Sequence, residues 1–181
     1  MKPWRRTSSK IILTDQWMRL RADSCVGPAG IEISPYYVIE DNDWAQIFAQ
    51  NDEGEVLVVE QYRHAAGTMC MELPGGVIDE GESPLIAAQR ELREETGYSA
   101  ASWKSVGKFY ANPARQTNAV HIFMATDLAE EGGMQLDPTE EIECAFLSPG
   151  QVEDSIRSGR FSQGLHIASF YMCKRLAEND T

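Results

Sequence analysis

Apolar and polar residues alternate with a period near two over much of the chain, the pattern of strands with one face buried. Short runs of this kind fill the first forty residues: Lys10 to Thr14, Trp17 to Ala22, a turn at Gly27-Pro28-Ala29-Gly30, then Ile31 to Glu40. They predict a small antiparallel sheet. A second set begins near Trp44 with Ala45 to Gln50 and Val56 to Tyr62, and the turn signal Asn51-Asp52-Glu53-Gly54 between them implies a hairpin running into the core. Further β-like runs cover Trp103 to Ala111, Ala119 to Leu128 and Glu143 to Ser148, with an irregular loop from Asn112 to Thr117.

The pattern changes to a helical period once with full punctuation. Ser83 is an N-cap residue, Pro84 takes the first helical position where its missing N–H does no harm, and Gly97 supplies a left-handed stop, so a helix is expected from Pro84 to about Thr96. Leu85, Ala88 and Leu92 form its apolar stripe, and Arg90, Glu91, Glu94 and Glu95 are expected to project from the remaining surface. Two more helices close the chain, over Pro149 to Ser158 and over Leu165 to about Ala177. Strands, helix, strands, helices is a mixed α/β order rather than a repeated βαβ chain.

At 181 residues, 43% hydrophobic and 24% charged, the chain is expected to fold as one domain of ordinary size or one domain with a short N-terminal appendage, a composition that excludes disordered and fibrous classes. No run approaches the roughly 18 apolar residues that span a bilayer, and the opening residues lack the apolar stretch of a secretory signal, so a cytoplasmic location is expected. Cys25, Cys70, Cys144 and Cys173 form no CxxC pair and read as reduced core thiols. A net charge of −12 has the wrong sign for nucleic acid or an anionic membrane surface. It would also repel a polyphosphate unless a cation intervened.

That cation is suggested by the acidic helix itself. Carboxylates three and four residues apart repel by a few tenths of a kcal/mol per pair, and Glu94 and Glu95 stand near the C-terminal end, where the helix dipole disfavours anions. Arg90 pairs with Glu94 at a spacing of four, but one guanidinium does not neutralise three carboxylates. A hard divalent ion with oxygen ligands does, and magnesium, which keeps positions for water and substrate phosphate, suits the set.

From Gly76 the chain carries the pattern G-x5-E-x7-R-E-U-x-E-E-x-G-U, U being bulky and apolar or aromatic: Gly76, Glu82, Arg90, Glu91, Leu92, Glu94, Glu95, Gly97 and Tyr98. Seven fixed letters recur by chance in a chain of this length on the order of once in a million. The sequence thus resembles the Nudix hydrolase family, and the resemblance implies an α/β/α sandwich with a mixed sheet, preceded by an N-terminal antiparallel β-sheet extension. It also implies hydrolysis of a nucleoside diphosphate linked to another moiety. By position, Glu91 and Glu95 look like the principal Mg2+ ligands, Glu94 like an additional one, and the backbone at Gly75 or Gly76 like another, with Mn2+ as a substitute ion. Arg90 and Glu82 look like residues that orient the carboxylates.

The flanks resemble the branch that hydrolyses ADP-ribose and other nucleoside diphosphate sugars. Gln61-Tyr62-Arg63 and Glu72-Leu73-Pro74-Gly75-Gly76 match its usual approach to the helix, which implies that Arg63 contacts the diphosphate and that Glu72 lies near the sugar or metal region. Pro113 stands sixteen residues beyond Gly97, another mark of this branch, but Ala114-Arg115-Gln116 replaces the usual small residue, serine and acid. Arg115 is therefore a candidate for a phosphate of the substrate, and ADP-glucose and GDP-mannose stand beside ADP-ribose. The base that activates water is expected in the acidic loop from Leu136 to Glu141, Glu140 ahead of Glu141. Tyr36 and Trp44 are candidates for stacking on the base. His64, His121 and His166 are expected to be dispensable for the chemistry. The resemblance further implies that residues 1–43 form a β-rich dimerisation segment and 44–181 the hydrolase domain, in a homodimer acting on small nucleotide sugars and binding neither nucleic acid nor membrane. The competing readings are a nucleoside triphosphate or dinucleoside polyphosphate pyrophosphatase and a noncatalytic nucleotide-sugar sensor.

Overall fold

The computed structural model describes residues 2–136 and 138–178. It divides into two compact units: one of residues 1–43 with Tyr110–Ala119, the other of Trp44–Phe109 with Val120–Thr181. The first unit is an antiparallel sheet of β1 (Arg5–Thr14), β2 (Arg19–Val26) and β3 (Glu32–Ile39) in that order, as the alternation predicts. Residues 110–119 join it from far along the chain: Ile39 bridges Gln116 in parallel, and the Ala119 amide donates to Asp43 Oδ1 at 2.8 Å.

The second unit holds two sheets and three helices. One sheet has the order β10 (Ile142–Leu147), β5 (Val56–Arg63), β6 (Thr68–Glu72); the other has β7 (Gly75–Val77), β4 (Trp44–Ala49), β9 (Ala119–Glu130), β8 (Tyr98–Tyr110). β4 pairs with β9 in parallel and with β7 antiparallel, so the sheet is mixed. The expected hairpin of β4 and β5 does not form. The turn is there, with Gly54 at φ +79°, but the two strands touch only at the bridge Gln50–Val56 and then enter different sheets. Each finds its long partner elsewhere, β4 in β9 and β5 in β10, because non-local pairing buries more of these largely apolar runs than a local ladder would.

Period-two alternation along β4 decides which helix covers which face. Ala45, Ile47 and Ala49 enter the core with Ala87, Ala88 and Leu92 of α1 (Pro84–Thr96). The intervening Gln46 and Phe48 meet α3 (Gly164–Ala177), where Ser169 Oγ lies 2.6 Å from Gln46 Oε1 and the Phe48 and Phe170 rings are 6.0 Å apart. β4 is thus covered by a helix on each face, the expected sandwich. The third helix, α2 (Pro149–Ser158), begins with a capping box formed by Ser148 and Gln151 and ends on Gly159 in the left-handed region.

α1 has the expected bounds and caps: the Ile86 amide donates to the Ser83 side chain, and Gly97 at φ +74° sends its N–H to the Arg93 carbonyl. Its faces differ from expectation in two places. Leu85 is exposed at 37%, while Glu95 is buried at 4% on the face shared with Ala88 and Leu92. Residues 88, 92 and 95 follow the four-then-three spacing of one stripe, so a carboxylate continues the apolar row and is carried inward with it.

Candidate active site

Backbone constraints position the acidic helix. Gly75, at φ +151°, pairs with Gln46, and a Cβ there would lie 2.2 Å from the Ala45 carbonyl oxygen, so only glycine lets β7 run this close to β4. The turn delivers the Gly75 N–H to Glu95 Oε2 at 2.8 Å. Gly76 leaves room in another way: a Cβ on it would fall 2.5 to 2.8 Å from the carboxylate atoms of Glu91. At the other end of α1, a Cβ on Gly97 would meet the Gly132 carbonyl oxygen at 2.2 Å. The segment after β9 is seated there, with the Gln135 amide donating to the Glu94 carbonyl at 2.8 Å.

Arg90 organises the acids around it. Its Nε and Nη2 grip Glu82 at 3.1 and 3.0 Å, Nη2 also donates to the Val77 carbonyl at 2.9 Å, and Nη1 reaches Glu91 at 2.8 Å and Glu94 at 3.1 Å. The hydrogen bond to Glu82 is the main reason the guanidinium is held above its ordinary value and the Glu82 carboxyl below its own. Glu95 is in the opposite situation. Burial pushes its carboxyl up to about 8, against the favourable Gly75 N–H, and the charges of Glu91 and Glu140 add to the rise. Burial raises Glu91 as well, with Arg90 opposing it.

Apart from Glu82, these groups line one cleft of about 960 Å³, in the range of small-molecule sites. Glu91, Glu94, Glu95 and Arg90 come from α1, Gly75 and Gly76 from its approach, Trp44 and Gln46 from β4, and Gln61 and Arg63 from the end of β5. Glu72, Glu140 and His166 also line it. Arg63 grips Glu72 side-on, Nε to Oε1 at 3.1 Å and Nη2 to Oε2 at 2.5 Å, and that bond is the main cause of its raised pKa. Of the residues singled out from sequence, Trp44, Arg63, Glu72, Gly75, Arg90, Glu91, Glu94, Glu95 and Glu140 share this cleft. Glu141 is exposed and does not line it, and Asp137 of the same acidic loop lies outside the described residues. Tyr36 and Arg115 belong to the three-stranded unit, where the Tyr36 hydroxyl donates to the Ala114 carbonyl at 2.5 Å and the Arg115 backbone bonds to Ile39 and Asn112.

The donor set fits a hard divalent ion. Glu95 and the partly buried Glu91 repel one another and burial raises both pKa values, so a cation beside them favours their charged forms, and Gly76 keeps the space beside Glu91 free of a side chain. Among the described residues no three His, Cys, Asp or Glu side chains already stand in ligating geometry; Arg90 bridges Glu91 and Glu94 instead. His166, expected to be dispensable, is a wall of the cleft. It is buried, its Nδ1 accepts from the Leu73 amide at 3.1 Å, and burial lowers its pKa to about 4. A lone histidine in a C-terminal amphipathic run gives no sign of this in sequence.

The NUDIX domain model matches residues 44–165, and the model of the nucleoside diphosphate sugar hydrolase N-terminal domain matches residues 4–39. The chain is 37% identical over 112 residues to an ADP-ribose pyrophosphatase of Bacillus subtilis (strain 168), covering 61% of this chain and 59% of that one. It is 36% identical over 126 residues to an ADP-ribose pyrophosphatase of Mycobacterium tuberculosis (strain ATCC 25618 / H37Rv), covering 69% and 60%. It therefore spans about three fifths of the length of these relatives. A crystal structure of an ADP compounds hydrolase superposes with a TM-score of 0.87 over 99% of this chain and 97% of that one at 16% identity, a likeness of fold. With the domain model spanning two thirds of its residues and the glutamates of the motif gathered on one cleft, the chain belongs to the Nudix family.

Proposed function

We propose that the protein is a magnesium-dependent hydrolase of nucleoside diphosphate sugars, with ADP-ribose the first substrate to test and Mn2+ an effective replacement ion. The observation that carries this reading is the juxtaposition, in one cleft, of the acidic face of α1 with the Arg63–Glu72 pair. The first suits a cation and the second an anion, and a metal diphosphate presents both. Two relatives bearing the name ADP-ribose pyrophosphatase favour the same substrate class.

In this reading Glu91 and Glu95 hold the ion, with Glu94 in support, and Arg90 keeps Glu91 and Glu94 oriented while its far edge is anchored on Glu82. The bound ion supplies charge neutralisation for the diphosphate and acidifies the attacking water. Arg63 binds a phosphate oxygen through donors that Glu72 leaves unused. Glu140, on a loop facing the cleft, accepts the proton of the water that attacks one phosphorus. The P–O bond to the other phosphate breaks, and nucleoside monophosphate and sugar phosphate leave. Trp44 offers a ring for the base at the start of β4.

The three-stranded unit is assigned to dimerisation. Every residue of β1 is exposed, and the large apolar side chains Ile11, Ile12, Leu13, Trp17 and Met18 stand exposed on this outer strand and the following turn, the kind of surface a second copy would cover. Four free cysteines fit a reducing, cytoplasmic setting.

A panel of nucleotide sugars, nucleoside triphosphates and dinucleoside polyphosphates, incubated with protein and Mg2+ or Mn2+, tests the activity. Mass spectrometry should find nucleoside monophosphate and sugar phosphate from the first group, ADP-ribose above all. Cleavage confined to the other two groups, or none at all, would overturn the assignment.

A further inference from the structure

α3 brings to the cleft an imidazole that the steps above do not use. Because Nδ1 of His166 accepts the Leu73 N–H at 3.1 Å, the neutral ring carries its proton on Nε2. That nitrogen stands 3.5 Å from Glu72 Oε2. Glu72 in turn receives Arg63 side-on through Nε and Nη2. Three elements, α3, β6 and β5, thus contribute to one chain of contacts that ends at a guanidinium open to the cleft. Its outer member is 45% exposed and its middle member 1%.

The side-on grip leaves Nη1 of Arg63, with two N–H donors, outside the pair with Glu72. Whether Nη1 meets a phosphate depends on where Glu72 holds the other edge. Glu72 is a carboxylate cut off from water, at the last residue of its strand, next to the Leu73 amide that His166 takes. An apolar group in place of the imidazole would leave the Leu73 N–H without its acceptor and Glu72 with one polar neighbour fewer, and both changes loosen the backing of Arg63. A permanently charged residue there would compete with Arg63 for the carboxylate.

We propose that His166 is a positioning residue, which by holding the Leu73 amide and standing against Glu72 sets the Arg63 guanidinium for a diphosphate. The inference rests on the reading of the cleft as a diphosphate site and assigns that site one further member.

ADP titrated calorimetrically in the presence of Mg2+ is the probe, since a bound diphosphate reports on Arg63 without turnover. Arg63→Ala should weaken ADP binding by tenfold or more, roughly the value of a charge-assisted hydrogen bond. His166→Asn keeps an acceptor for Leu73 but nothing against Glu72, and should weaken ADP by roughly tenfold in the natural background and by less than about twofold on top of Arg63→Ala. His166→Gln, whose amide nitrogen reaches the place of Nε2, should recover most of the lost affinity. Equal losses in both backgrounds, unchanged affinity in His166→Asn, or an Arg63→Ala protein that binds ADP normally would each overturn the inference. So would failure of both His166 variants to fold, judged by circular dichroism, because the residue would then serve packing alone. If the natural protein cleaves no nucleotide sugar yet shows this pattern with ADP, the proposed activity falls and the positioning role stands.

Discussion

Glu95 is buried against the core side of its helix, and that placement separates its effect on activity from its effect on stability. Glutamine keeps an oxygen for the Gly75 N–H but removes a charge whose ionisation burial opposes. Glu95→Gln should therefore lower turnover by at least ~10²-fold while leaving the metal-free melting temperature unchanged or higher, as steady-state kinetics and a thermal melt would show. A Glu140→Gln variant should also lose turnover, with metal affinity held within about twofold, because its carboxylate is assigned to the water and not to the ion. His166 supplies a third test. Its pKa of about 4 means that between roughly pH 6.5 and 4 it is neutral when folded and charged when unfolded, so stability falls as pH drops through that window, by up to about 3 kcal/mol. Glu95, raised by burial to about 8, acts in the opposite direction as pH drops from about 8 to 4.5. The contribution of His166 is isolated by urea unfolding of the natural protein beside His166→Asn: their stability difference should shrink between about pH 7 and pH 4.5, and a constant difference would contradict the assignment.

α1 acts through its two ends, and each end rests on a glycine with a different duty. Gly97 is left-handed at φ +74° and lies against the Gly132 carbonyl, so Gly97→Ala combines backbone strain with a clash on main-chain atoms that cannot swing away. A loss of about 2 kcal/mol or more is expected in thermal or denaturant unfolding. At Gly76 the three atoms nearest the added methyl all belong to the far end of the Glu91 side chain, which can move. Gly76→Ala should accordingly fold with a near-natural melting temperature and require more Mg2+ for half-maximal activation, the difference between a stop and a cradle. The bounds of this helix are legible in the sequence because capping chemistry is local, but which positions face inward is not: Leu85 and Glu95 exchange their expected roles once the helix is laid on β4 and β7. β6 and β7 were not legible at all. Thr68–Glu72 and Gly75–Val77 are short and rich in Met and Gly, and they are strands only because β5 and β4 offer them edges.

For the molecule as a whole, the three-stranded unit carries the consequence that is easiest to test. Light scattering should give twice the 20.2 kDa chain mass, and charged replacements at Ile11 and Leu13 should return it to the mass of one chain. A single-chain mass for the natural protein would remove the role assigned to residues 1–43. A further property is tied to charge. The cleft is lined by six carboxyl side chains against two arginines, so a cation bound there would both relieve their mutual repulsion and admit the proposed diphosphate.

The sequence by itself determined the family, the helix with its caps, the acidic face and the arginine that arranges it, since these depend on neighbours within a few turns of chain and on residue types at fixed spacing. Only the tertiary structure decided that β4 and β5 separate into different sheets, that Glu95 lies inside, that Glu140 rather than Glu141 lines the cleft, and that His166 backs Glu72 from ninety-four residues away. The reason is common to all four: which face an element buries, and against what, is fixed by contacts between distant segments, and local propensity carries no record of them.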